Sequence, residues 1–244
     1  LFGQRTAANM AGQMLSRGTT KYTRQQLSDE LERLKVSGRV GGSGGSFQTT
    51  RPNLEAALKL AAHVLKEPSF PESEFEQLRK LTITSVESQL AEPDARASEA
   101  LSKHFNAYPK GDWRYTPTLE ESIANVKAAK LEDLRRFHQE FYGAQAAEIA
   151  IVGDFDADKI AAVLKDLFAD WKAAKPYAHV PTKHASVAAV DLQVATPDKE
   201  NAIFLARQNL DLRDDDPDFP ALYVANYILG GGAGLDSRLG NRLR

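Results

Sequence analysis

Apolar residues recur every three to four positions along most of the first two-thirds of the chain, the spacing of one buried helix face. Residues 6–17 read as a helix closed by Gly18. Thr23 stands as N-cap of a second helix, in which Leu27, Leu31 and Leu34 share a face. The period then shortens to two in KVSGRVGGSGGSFQTT. Val36, Val40, Phe47 and Thr49 predict two short strands around a glycine-rich turn. Asn53 is expected to cap LEAALKLAAHVLKEP, which Pro68 stops. A longer helix begins at Pro71 and ends by Pro93. DARASEALSKHFNAY, LEESIANV and LEDLRRFHQEFY are further helices. AEIAIVGDFD reads as a buried strand, and Asp156 caps the helix in ADKIAAVLKDLFADW.

A linker composition, KAAKPYAHVPTKH, interrupts this pattern. After it come two strand-like runs, VDLQVATP and NAIFLARQNL. A helix in FPALYVANYIL then runs into GGGAGLDSRLGNRLR. The expected fold is α+β, with an antiparallel sheet packed against helices. The expected domains are residues 1–178 and the start of a second, truncated one at 179–244. Leu27, Leu31, Leu58, Leu65, Phe75, Ile83, Ile151, Leu164 and Leu167 are expected to line the first core. Both ends of the sequence look cut.

Charge and composition narrow the functional classes. The 244 residues carry a formal net charge of -2, which does not call for a nucleic-acid partner. No apolar run has the length of a membrane span. With no cysteine, disulfides, zinc–thiolate sites and thiol catalysis are excluded. GGSGG is not followed by the Lys-Ser or Lys-Thr of a phosphate loop and reads as a flexible hairpin tip. His63, His104 and His138 sit singly on helices; His179 and His184 fall in the linker. No HExxH or HxxEH occurs, and LRDDDPD reads as an acidic loop and helix cap.

Six stretches in sequence carry a resemblance: RGTTKYTRQQLSDELERL, NLEAALKLAAHVLKEPSFPESEFEQLR, YTPTLEESI, LEDLRRFHQEFY, AEIAIVGDFDADKI and LGGGAGLDSRLGNRLR. In this order they resemble the pitrilysin/insulinase family of zinc metallopeptidases, which includes mitochondrial processing peptidase. Active members carry HxxEH on the helix before a Gly-Thr pair, with a glutamate on a later helix as third ligand. Aligned on Gly18-Thr19, the resemblance puts Asn9, Gly12 and Gln13 at the motif positions and Ser85 at the third-ligand position. A catalytic zinc needs about three side-chain ligands and a base. These four residues supply neither, so no metal and no cofactor are expected.

The resemblance implies a catalytically inactive half that closes a peptide chamber against a separate zinc-bearing HxxEH half. The partners it implies are that half and a peptide substrate, which active halves hold as an added strand; here the edge region GRVGGSGGSF departs from the family pattern. Arg244, behind the glycines Gly230, Gly231 and Gly232, matches a substrate-contacting arginine whose tyrosine companion is expected beyond it. The alternative is a structural or assembly subunit of the same fold without proteolytic role. Many bacterial relatives are exported, which points to a periplasmic or envelope setting; the sequence itself leaves the compartment open.

Overall fold

The structure is a computed structural model and describes residues 4–106, 108–178, 184–231 and 237–243. Helix α1 (Arg5–Met14) buries Ala7, Met10, Ala11 and Met14, a single stripe at helical spacing. It tightens into a 3₁₀ turn over Leu15–Arg17 and stops at Gly18, whose φ of 143° suits glycine alone. Thr23 caps α2 (Arg24–Arg33) in a reciprocal box: its hydroxyl accepts from Gln26 N, and the Gln26 side chain accepts from Thr23 N. The other end of α2 is closed by two bonds, Lys35 N to the Glu32 carbonyl and Val36 N to the Leu31 carbonyl. This closure holds Lys35 at φ 53°.

Strands β1 (Ser37–Val40) and β2 (Gly45–Gln48) form an antiparallel hairpin with Gly38 opposite Phe47 and Arg39 opposite Ser46. Helix α3 (Leu54–Lys66) follows. The expected side-chain cap from Asn53 is not made: its amide instead donates to the Leu34 carbonyl at 3.0 Å, tying the end of α2 to the start of α3. Pro71 precedes α4 (Glu72–Gln89), whose first turn is acidic, and Pro93 opens α5 (Pro93–Phe105). A second capping box, Thr118 with Glu121, starts α6 (Leu119–Ala128). Helix α7 (Leu131–Phe141) comes next, then α8 (Ala157–Phe168), capped by Asp156 as expected.

The chain divides into two compact units. One holds Leu1–Val180 with Leu192–Leu205, the other Pro181–Asp191 with Ala206–Arg244. In the first, α1 lies on Phe70, Phe75, Leu78, Val126 and Leu134, while Leu15, Leu27, Leu34, Leu60, Val64 and Tyr142 form an adjoining cluster. Phe70 is buried with φ 47°, a left-handed backbone rarely seen at a bulky residue. Leu27, Leu58 and Phe75 are core residues as expected, and Leu31, Leu65 and Ile83 pack around them. Ile151, Leu164 and Leu167 are only half-buried. The second unit contains α9 (Phe219–Asn226), a π-helical turn at Tyr227–Gly231, and α10 (Arg238–Leu243).

Among the described residues the α+β reading holds, with ten α-helices and one small sheet. The expected strands at 147–152, 190–197 and 201–210 are not formed among the described residues. Alternating apolar residues make a strand only where a neighbouring strand takes up the backbone groups. Among the described residues no strand lies against 147–152, and Val152 is 98% exposed.

Candidate functional site

The face of α1 singled out by the sequence is split by burial. Asn9 and Gln13 are exposed, and Gly12 is buried under the hairpin tip. A Cβ built on Gly12 would stand 2.7 Å from Gly42 Cα; one built on Gly42 would stand 2.8 Å from the Tyr142 hydroxyl. Helix, hairpin and tyrosine thus meet at a point where no side chain fits. Tyr142 lies just past α7 with its ring 4.7 Å from that of His138, and burial pushes its hydroxyl up to about 12.

Ser85 is exposed on α4, and its carbonyl accepts from the Ser88 hydroxyl at 2.9 Å. Among the described residues no hydrogen bond or ion pair joins Asn9, Gln13 and Ser85. No group of three or more His, Cys, Asp or Glu converges there either. Two amides, a glycine and a hydroxyl do not fit a zinc ion, which wants imidazole, carboxylate or thiolate. The close approach at Gly12 leaves no room there for a carboxylate side chain without moving the hairpin.

A second cluster escaped the sequence reading. The Thr19 hydroxyl oxygen accepts from Lys21 N and Tyr22 N at 3.3 and 3.1 Å, and lies 2.9 Å from His63 Nε2. The two N–H bonds fill its lone pairs, so its own hydrogen goes to Nε2. His63 Nδ1 then faces Glu67 Oε2 at 3.5 Å. Glu67 also accepts from the Thr20 hydroxyl at 2.8 Å, which with His63 lowers its carboxyl below the ordinary value. The order hydroxyl, imidazole, carboxylate resembles a nucleophile with its base. Thr19 is buried and its oxygen is saturated, so the cluster is a clamp. It joins the turn after α1 to the end of α3, beside the bonds Thr20 N to Glu67 O and Ser69 N to Gly18 O. Its signal was a His–Glu pair one helical turn apart, His63 and Glu67.

His138, read from sequence as a helix-face residue, faces inward. Its Nε2–H donates to the Leu65 carbonyl at 2.7 Å, and burial lowers its pKa.

The first unit also carries an open cleft of about 1080 Å³. Residues 44–51 wall it on the hairpin side and 147–155 along the irregular run; α3 and α8 contribute Leu58, Leu164 and Phe168. An exposed ion pair, Arg51 Nη1 to Asp154 Oδ2 at 2.7 Å, joins the two walls.

In the second unit, Gly230 lies in the π-helical turn, where an added Cβ would stand 3.5 Å from a Leu239 methyl. Gly231 ends that turn. Gly232 and Arg244 lie outside the described residues.

Solved structures share this fold. An M16 peptidase inactive domain from Pseudomonas fluorescens is 23% identical over 98% of this chain and 57% of its own, with a TM-score of 0.70. A protease from Helicobacter pylori is 17% identical over 77% and 45%, with a TM-score of 0.58. The periplasmic protease PqqL from Escherichia coli is 18% identical over 74% and 21%, with a TM-score of 0.57. The chain spans little more than half the length of the first of these, and less of the others. No curated protein matches it in sequence. Residues 128–244 match the family model described as the peptidase M16 inactive domain. The recognition of a pitrilysin/insulinase-type peptidase relative, of the inactive kind, is thereby borne out.

Proposed function

We propose that this chain is the non-catalytic half of an M16-type zinc peptidase, closing a peptide chamber against a separate zinc-bearing half. The observation that supports this best is the seal at Gly12. The helix face that the resemblance assigns to metal carries no metal-binding side chain, and Gly12 at its middle is packed under Gly42 and Tyr142. In this reading Asn9, Gly12, Gln13 and Ser85 are the lost metal positions. Residues 179–244 begin a second α+β domain. Arg244, led in by Gly230, Gly231 and Gly232, contacts peptide bound at the partner's zinc; a guanidinium holds a peptide carbonyl and the developing oxyanion with its planar fork.

The test uses the purified chain, zinc chloride and a quenched-fluorescent unfolded peptide. The chain alone is expected to hold no stoichiometric zinc and to leave the peptide intact. Mixed with a zinc-bearing HxxEH homologue encoded beside it, cleavage is expected, with kcat/KM about 10²-fold lower for Arg244→Ala. One tightly held zinc per chain, lost in Asn9→Ala or Gln13→Ala, overturns the reading. An assembly subunit is the second reading. It is favoured by α9 and the turn after it, where Leu222, Tyr223, Val224, Tyr227 and Leu229 are all exposed, the composition of a permanently covered helix. Stable recovery in a large complex without peptidase activity would select it.

A further inference from the structure

A second open cleft of the first unit, of about 540 Å³, lies between the start of α1, the loop joining α5 to α6, and the facing turns of α6 and α7. Side-chain hydrogen bonds build that loop. Tyr115 N donates to the Asp112 carbonyl at 3.0 Å, which makes Trp113 and Arg114 the central residues of a turn. Arg114 is fixed there. Its Nε and Nη2 donate to the Asp112 carboxylate at 3.0 and 2.8 Å, and its guanidinium lies 3.7 Å from the centre of the Tyr108 ring. Asn106 Nδ2 donates to the Arg114 carbonyl and to Thr116 Oγ1, and the Tyr115 hydroxyl donates to Glu121 Oε2 at 2.7 Å. Trp113 is therefore held in place by its neighbours. It remains 43% exposed on the cleft, and its indole N–H donates to no described residue.

Among the described residues, the charges lining this cleft are matched but for one. Lys110 pairs with Glu121 at 2.7 Å, Arg136 pairs with Asp133 at 2.6 Å, and Asp112 is taken by Arg114. Arg5 has no carboxylate partner among the described residues. Its Nη1 donates to the Tyr115 carbonyl at 3.3 Å, which steers the guanidinium to the turn that carries Trp113 and leaves its other donors unspent. A cation entering here meets no unspent carboxylate. An uncharged ring covers the indole and makes no use of Arg5. A carboxylate borne on a flat ring uses both, because the planar guanidinium takes its two oxygens while the ring stacks on the indole. We propose that this cleft binds a small aromatic carboxylate, with the acid on Arg5 and the ring on Trp113. The size of the cleft falls within the range of roughly 300–1,000 Å³ usual for small-ligand sites. The site lies wholly within the first unit and does not depend on the zinc-bearing half proposed above.

The test is an NMR titration of the full chain, labelled with heavy nitrogen and carrying Trp171→Phe. Trp113 and Trp171 are the two tryptophans, so one indole N–H signal remains, that of Trp113. The probe is benzoate. Benzamide supplies the ring without the charge, and cyclohexanecarboxylate the charge without the flat ring. Benzoate is expected to move the indole signal saturably, with a Kd of about 1 mM or lower, ordinary for so small a ligand. Both controls are expected to bind about tenfold more weakly or worse. Arg5→Gln, at an exposed position, is expected to keep the melting temperature and abolish the preference for benzoate over benzamide; Arg5→Lys is expected to retain part of it. Equal affinity for benzoate and benzamide would mean that the ring stacks without help from the acid, and would overturn the proposal. Equal affinity for benzoate and cyclohexanecarboxylate would reduce it to a charge contact and overturn it too. So would a preference unchanged in Arg5→Gln, or the absence of a saturable shift at about 20 mM benzoate, some twenty times the expected Kd. If Trp171→Phe lowers the melting temperature, the titration is repeated on the unsubstituted chain, with the Trp113 signal assigned by its loss in Trp113→Phe. None of these outcomes bears on whether the chain partners a zinc-bearing half, which peptide cleavage in the mixture reports separately.

Discussion

Thr19 and His63, 44 positions apart, are joined by a hydrogen bond of 2.9 Å that fastens the exit of α1 to the last turn of α3. Thr19→Val keeps the shape and removes the oxygen. The Lys21 and Tyr22 N–H groups and the His63 ring then lose a buried partner. The expected cost is about 1–3 kcal/mol in chemical denaturation. Thr19→Ser is expected to recover most of it. Additive effects of Thr19→Val and His63→Ala in a double-mutant cycle would show that the two are not coupled.

At Gly12, two effects of a methyl group oppose each other. Alanine favours a helix over glycine by about 1 kcal/mol. The added carbon would stand 2.7 Å from the Gly42 backbone, a contact that only displacement of the hairpin can relieve. Overpacking of this kind costs about 1–3 kcal/mol, so Gly12→Ala is expected to destabilise. Thermal melts decide the sign; a rise in melting temperature would mean that the hairpin tip yields freely.

Lys35 offers the reverse case. It is exposed, at φ 53°, in the left-handed position that closes α2. A residue with a Cβ pays roughly 1–2 kcal/mol for that backbone. Lys35→Gly is expected to raise stability by about 0.5–1 kcal/mol after its own entropic cost. Lys35→Val, with a β-branched residue in the same place, should lower it.

His138 makes stability depend on pH. Burial holds its folded-state pKa below the ordinary value of 6.5, despite the bond to the Leu65 carbonyl. The unfolded chain therefore binds this proton more readily. Stability from His138 is fully present above about pH 6.5 and is lost as pH falls through the folded-state pKa. Urea titrations between pH 7 and 5 are expected to show a falling midpoint. In His138→Gln, whose amide can still donate to Leu65, the slope over that range should be flatter.

Helix positions were legible because their signals are local. Thr23, Asp156, and the prolines at 71 and 93 act within a turn or two, whatever the rest of the chain does. The run 147–152 was misread because a strand is a property of two segments, and sequence shows only one. Asn53 has the right chemistry for a cap; a carbonyl brought in by α2 took its amide instead. On α1 the spacing placed Asn9, Gly12 and Gln13 together, and the reason for the glycine was beyond reach. It lies in Gly42 and Tyr142, which only the folded hairpin and α7 bring near.

The packing of α1 has a further consequence during synthesis. Met10 and Met14 find their cover on Val126 and Leu134, which leave the ribosome roughly 120 residues later, a delay on the order of ten seconds at ordinary elongation rates. Through that interval the apolar stripe of α1 is a client for any holding chaperone, and a rare-codon pause before α7 would lengthen its exposure.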